Sequence, residues 1–141
     1  MGASSNNTNR YASVHERPNG PCDGRPTAEQ IIKDNDLFGK LSDKTMLVTG
    51  GSGGLGVDIV RQLARTGATV FFTSRDLERG EKVRQSLLSE AEGRGEKAKI
   101  EMLHLDLVSL ESVRNAAEEF RKRSKQLHVL VNNAGTIKYL L

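Results

Sequence analysis

The sequence predicts an α/β fold, a doubly wound parallel sheet of four strands in the order 3-2-1-4. Three observations carry this prediction. Short, continuously apolar runs alternate with stretches whose apolar residues recur at helical spacing, and the two kinds follow one another as β-α-β-α-β-α-β. The first apolar run stops at a cluster of glycines, and that cluster opens the first of the periodic stretches. Continuous apolar strands suit a sheet covered by helices on both faces, and right-handed crossovers then fix how it winds.

Each element has its own signal. Residues 1–26 are rich in Ser, Asn, Gly, Pro and Arg without periodicity. They are expected to form a disordered polar tail, having too little apolar surface to offset ordering. Residues 27–39 read as a short leading helix: Thr27 and Gln30 resemble a capping box, Ile31, Ile32 and Leu37 supply one apolar side, and Gly39 ends it. Residues 40–141 carry the sheet. Thr45-Met46-Leu47-Val48-Thr49 is the first strand. Leu55, Ile59, Val60 and Leu63 follow at helical spacing, with Gly67 as the C-terminal cap. Residues 68–73 form a second strand, and Asp76 caps a helix reaching about Ala91, before a loop at residues 92–95. Residues 99–105 are a third strand. Ser109 caps a helix with Leu110, Val113, Ala117 and Phe120 on its inner face, and residues 127–131 form the fourth strand.

Composition narrows the function. A chain of 141 residues has room for one modest core, and 36% apolar with 28% charged residues is an ordinary globular balance. The formal charge of +3 is small, and basic residues alternate with acidic ones along helix-like stretches. Such interleaving marks solvated helix faces, so no nucleic-acid partner is expected. Cys22 stands alone and makes neither an internal disulfide nor a metal site. His15, His104 and His128 lack ligand spacing and read as incidental. No apolar run is long enough to cross a bilayer, and the first residues lack the apolar core of a secretory signal. Asn6 stands where a myristoylation start needs Ser or Thr, and the Asn6-Asn7-Thr8 sequon has no meaning without export. The expected setting is cytosolic, with no membrane partner.

Chemistry concentrates at the strand ends. In Thr49-Gly50-Gly51-Ser52-Gly53-Gly54-Leu55-Gly56, glycines permit positive φ, close approach to a pyrophosphate and tight helix-on-strand packing. The helix that follows points its N-terminus at the phosphates. Two registers fit, Gly51/Gly53/Gly56 as G-x-G-x-x-G and Gly50/Gly54/Gly56 as G-x-x-x-G-x-G. A P-loop is excluded, because Val57-Asp58 occupy the Lys-Ser/Thr positions. After the second strand comes Thr73-Ser74-Arg75-Asp76. A carboxylate there would bind both ribose hydroxyls of NAD, whereas a cation suits the 2′-phosphate of NADP. Ser74 takes the acid's place and Arg75 follows it, with Arg79 four residues on, which favours NADP. Asp76 is an alternative ribose ligand, although helix capping is its simpler role.

Together, Thr49-Gly50-x-x-x-Gly54-x-Gly56, Asp106-Leu107 and Asn132-Asn133-Ala134-Gly135 resemble the short-chain dehydrogenase/reductase family over residues 40–136. The Ser74-Arg75-Asp76 segment is similar to its NADP-using, retinol-dehydrogenase-like members. The resemblance implies that Gly50, Ser52, Gly54, Leu55 and Gly56 line the pyrophosphate and adenosine ribose. It places Ser74 and Arg75 at the 2′-phosphate, Asp106 and Leu107 at the adenine, and Asn132, Asn133 and Ala134 toward the central and nicotinamide-side ribose. Thr49 and Asn133 also have a structural role in such proteins, tying neighbouring strands together.

The resemblance also implies a catalytic set that these residues do not contain: a Tyr-x-x-x-Lys pair, a Ser after a fifth strand, and an Asn on the helix after the fourth. The Lys lowers the Tyr pKa, and the Tyr moves a proton at the carbonyl oxygen as hydride passes at the nicotinamide. Tyr139 has no lysine four positions on, and Tyr11 is followed there by His15. The expectation is therefore the N-terminal half of an NADP-dependent oxidoreductase for an alcohol or ketone, truncated after its fourth strand. The alternatives are an inactive NADP- or partner-binding module and a non-functional product. A fourth strand left as an edge is expected to promote self-association.

Overall fold

Strands β1 (Thr45–Val48), β2 (Thr69–Ser74), β3 (Lys99–His104) and β4 (Val129–Val131) pair in parallel in the order β3-β2-β1-β4. This is the predicted order, found in a computed structural model that describes residues 10–135. The myristoylation-like start, the Asn6 sequon and Tyr139 lie outside the described residues. In register, Val48 stands opposite Phe72 of β2 and Val131 of β4, and Phe72 opposite Met102 of β3. The carboxyl ends of all four strands therefore open at one edge, where ligands bind in doubly wound sheets.

Residues 1–36 and 37–141 form two separate units. In the first, α1 (Ala12–His15) is a single turn and α2 (Ala28–Asp34) is capped by Thr27, whose Oγ1 accepts from Gln30 N at 3.1 Å. The Tyr11 hydroxyl donates to Asp34 Oδ2 at 2.7 Å. The helix stops at Asp34 and not at Gly39, because the Asn35 amide closes the last turn on Ile31 O and Asp36 takes a left-handed φ of 51°.

In the second unit, α3 (Leu55–Arg65) and α4 (Leu77–Gly93) cover one face of the sheet. The core lies there: Met46, Val48, Val70, Phe72 and Ile100 meet Val60, Ala64 and Leu87. Gly80 lets α4 approach closely, since a Cβ there would lie 2.8 Å from that of Ser74. Helix α5 (Leu110–Arg123) opens on Ser109, whose Oγ accepts from Ser112 N, and it has no buried residue. Its Phe120 ring meets that of Phe71 edge-on at 5.0 Å.

Strand β1 ends at Val48, one residue before the expected Thr49, and β2 is shifted by one residue to Thr69–Ser74; β3 and β4 differ from expectation for local reasons. Strand β3 stops at His104, after which Leu105 N donates to Ser74 O. Strand β4 begins at Val129 and not Leu127, because the His128 side chain takes a place in the ladder. Its Nδ1 accepts from Thr45 N at 2.9 Å while His128 N donates to Thr45 O. His128, read as incidental from sequence, pins β4 to β1.

Candidate functional site

A cleft of about 550 Å³ opens at the carboxyl ends of the strands, where the order reverses between β1 and β4. Ten residues singled out by sequence line it: Gly50, Ser52, Leu55, Gly56, Ser74, Arg75, Asp106, Leu107, Asn133 and Ala134. Gly54 and Asn132 do not. Thr73, Gly53, Leu105, Val108 and Gly135 join the lining. Thr73, Gly53 and Gly135 stand in motifs already quoted from the sequence; Leu105 was read only as the end of the third strand, and Val108 carried no reading.

The glycine turn resolves the two registers. Gly50 and Gly54 have φ of +68° and +53°, and a Cβ on Gly56 would stand 2.2 Å from Gly50 O. Gly53 meets only the mobile end of Arg79. The Gly50/Gly54/Gly56 spacing is thus the one the backbone requires. Gly51 is constrained separately, by the Phe72 ring behind it.

Asn133 and Thr49 hold this turn against β4. The Asn133 amide donates to Thr49 O at 3.0 Å and Gly50 O at 3.2 Å. Thr49 Oγ1 accepts from Asn133 N and Ala134 N at 3.1 and 3.0 Å. The structural role of this pair is on display, and Asn133 also forms part of the cleft wall.

Helices α2, α4 and α5 each begin with a side-chain oxygen accepting from the first turn, from Thr27, Asp76 and Ser109. Helix α3 begins at Gly54 with no side-chain cap, and it points into the cleft through Leu55 and Gly56. An uncapped helix N-terminus facing a cavity presents backbone N–H groups and the positive end of the helix dipole to an anion.

At the end of β2, Ser74 is 2% exposed. Its hydroxyl donates to Asp76 O at 2.6 Å, leaving acceptor capacity for the Ser52 hydroxyl at 2.9 Å. Ser74 therefore joins the glycine turn to the start of α4. Asp76 Oδ1 accepts from Arg79 N, so this carboxylate caps α4, and it does not line the cleft. Arg79 Nε donates to Ser52 O at 3.0 Å. Arg75 is exposed, lines the cleft, and has no hydrogen bond or ion pair among the described residues. Across the cleft, Asp106 Oδ1 accepts from Val108 N, which shapes a turn that exposes Leu107 and Val108 beside exposed Leu55. The site is thus an anion-facing helix end with a cation on one side and apolar surface on the other.

The short chain dehydrogenase family model matches residues 44–140. The chain belongs to the short-chain dehydrogenase family. The short-chain dehydrogenase/reductase prx1 of Penicillium rubens is 46% identical over 126 residues, covering 89% of this chain and 35% of that protein. Retinol dehydrogenase 12 of Bos taurus is 38% identical over 104 residues, covering 74% and 30%. Among solved structures, the RhlG/NADP active-site complex of Pseudomonas aeruginosa superposes with a TM-score of 0.61 at 33% identity, over 71% of this chain and 38% of RhlG. The chain spans about a third of the length of the curated short-chain dehydrogenases it matches. The motifs pointed to this family and to its retinol-dehydrogenase-like members, and both are among the matches. Among the described residues no helix is long and apolar enough to cross a membrane, and no group of three or more His, Cys, Asp or Glu side chains could hold a metal.

Proposed function

We propose that residues 40–141 form the NADP(H)-binding portion of a short-chain oxidoreductase acting on an alcohol or carbonyl compound. The observation that carries the reading is Arg75, a guanidinium without a protein partner among the described residues, beside Ser74 in the wall of a cleft floored by the uncapped α3. A dinucleotide fits these groups. The uncapped α3 N-terminus and the glycine turn take the pyrophosphate. Arg75 meets the 2′-phosphate with a charge-assisted contact. The buried Ser74 offers no carboxylate to the ribose hydroxyls of NAD. Leu107 and Asp106 flank the adenine, and Asn133 and Ala134 face the nicotinamide-side ribose.

When bound, the nicotinamide supplies or accepts a hydride. This chain's residues bind and orient it; moving the substrate proton requires the Ser and Tyr-x-x-x-Lys set of the family, which is not in these residues. Among the described residues the cleft holds no Tyr or Lys. That observation favours a second reading, in which the chain binds cofactor without turning over substrate. The proposal includes a cytosolic setting, which fractionation of the tagged chain tests.

Calorimetric titration of the 141-residue chain tests the cofactor reading. NADPH is expected to bind more tightly than NADH, and equal affinities would overturn it. NADPH oxidation in the presence of carbonyl compounds separates the two readings: the chain alone is expected to show none, because nothing positions substrate and proton donor together.

A further inference from the structure

Thr73, next to last in β2, lines the cleft yet is only 3% exposed, and its side chain is committed to the protein. Its Oγ1 accepts from Gly50 N at 3.0 Å, and its carbonyl oxygen accepts from Gly51 N, also at 3.0 Å. One residue thus takes the first two N–H groups of the glycine turn. Further along, the N–H groups of Ser52, Gly54 and Leu55 have no acceptor among the described residues. Gly50 is where this hold bears on the backbone most. Its φ of +68° is left-handed, and a Cβ there would lie 2.9 Å from Ala134 Cα, so the turn is wedged between the ends of β2 and β4.

We propose that Thr73 is a positioning residue of the cleft, gripping the glycine turn from β2 as Thr49 and Asn133 grip it from β4. Its hydroxyl fixes the Gly50 amide and so keeps the N–H groups that follow in place for an anion. The proposal rests on the cofactor reading of the cleft and extends it from the groups that meet the ligand to a group that holds them. Valine has nearly the shape of threonine but no acceptor. With Val at this position Gly50 N–H loses its partner, and an unpaired N–H inside a protein is unfavourable. The free turn then shifts to bring that N–H to water, and binding has to reverse the shift. The pyrophosphate is common to NAD and NADP, so the loss falls on both alike. Arg75, by contrast, is assigned to the 2′-phosphate alone.

Calorimetric titration of the full 141-residue chain with NADPH and with NADH tests this, in the parent and in Thr73→Val and Thr73→Ser. Thr73→Val is expected to weaken both cofactors by about tenfold, the scale of one hydrogen bond lost with its donor left behind. Thr73→Ser keeps the hydroxyl and is expected to restore most of that affinity. A residue that only stabilised the strand would lower the melting temperature of the valine variant and leave both affinities unchanged. That result would overturn the proposal, as would a serine variant as weak as the valine one or a loss confined to NADPH. Amide hydrogen exchange in the parent covers a valine variant that does not fold. Gly50 N–H is expected to be protected well beyond Ser52 N–H, and equally fast exchange of the two would remove the bond to Thr73 from the account. A parent that binds neither cofactor would overturn the cofactor reading and this proposal with it. A parent that binds, beside a valine variant that binds as well, would overturn the role of Thr73 alone.

Discussion

Gly56 has no room for a side chain: a Cβ would stand 2.2 Å from Gly50 O and 2.8 Å from Asn133 Nδ2. Gly56→Ala is expected to destabilise the chain by about 1–3 kcal/mol, the range for forced overpacking, in chemical denaturation. Its neighbours separate two roles that sequence alone left combined. If Arg75 meets the 2′-phosphate as proposed, Arg75→Ala should weaken NADP binding by about 1.5–3 kcal/mol and leave NAD nearly unchanged. Asn133 instead holds the turn that both cofactors share, through Thr49 O and Gly50 O. Asn133→Ala is expected to weaken NADP and NAD equally in calorimetry; a selective loss of NADP would contradict its positioning role. The residue types of the site were legible, but their division of labour was not. Five glycines between positions 50 and 56 satisfy two registers on paper. Only the positive φ of Gly50 and Gly54 decides between them, since Gly56 belongs to both. Ser74 reads as a phosphate-side ligand, whereas its proton is committed to Asp76 O, a contact that depends on how α4 leaves the strand.

Helices α3 and α4 are joined by Arg61, whose Nε donates to Glu90 Oε2 at 2.8 Å. The same guanidinium also reaches Asp58 on its own helix. The hydrogen bond from Arg61, with the attraction of Arg61 and Arg94, holds the Glu90 carboxyl below its ordinary value of 4.5. A depressed carboxylate stabilises the fold above its unfolded pKa, and that contribution fades as pH falls from 4.5 through the folded value. Both side chains are partly solvated, so Glu90→Gln should cost no more than about 1 kcal/mol at neutral pH. The difference from the parent should shrink in urea melts as the pH is lowered below 4.5. A gap that is constant or grows with acid would remove this pair from the account. At this scale every strand and helix of residues 40–135 was legible from apolar spacing and from caps such as Asp76 and Ser109. The ends were not. Side chains take or share the place of backbone partners there, as the His128 ring does for Thr45 N and as the Asn35 amide does at Ile31 O beside its own N–H.

For the whole molecule, the described residues leave β4 as a sheet edge, with Val129 and Leu130 exposed and neither charge nor proline within the strand. Such an edge invites pairing with another copy. Concentration-dependent association of the chain is expected in sedimentation, and Val129→Lys should reduce it. A monomer at high concentration would contradict this. Strand order and the position of the cleft followed from the sequence, since the glycine turn and the crossover rules determine both. The cleft at the strand ends is proposed as an NADP site. Amide chemical-shift mapping of the labelled 141-residue chain during NADP titration tests it most directly. Saturable shifts are expected at Ser52 to Gly56, Arg75, Leu107 and Ala134, with Arg121 to Lys125 unmoved. Shifts that do not saturate, or that gather away from the α3 N-terminus, would contradict it.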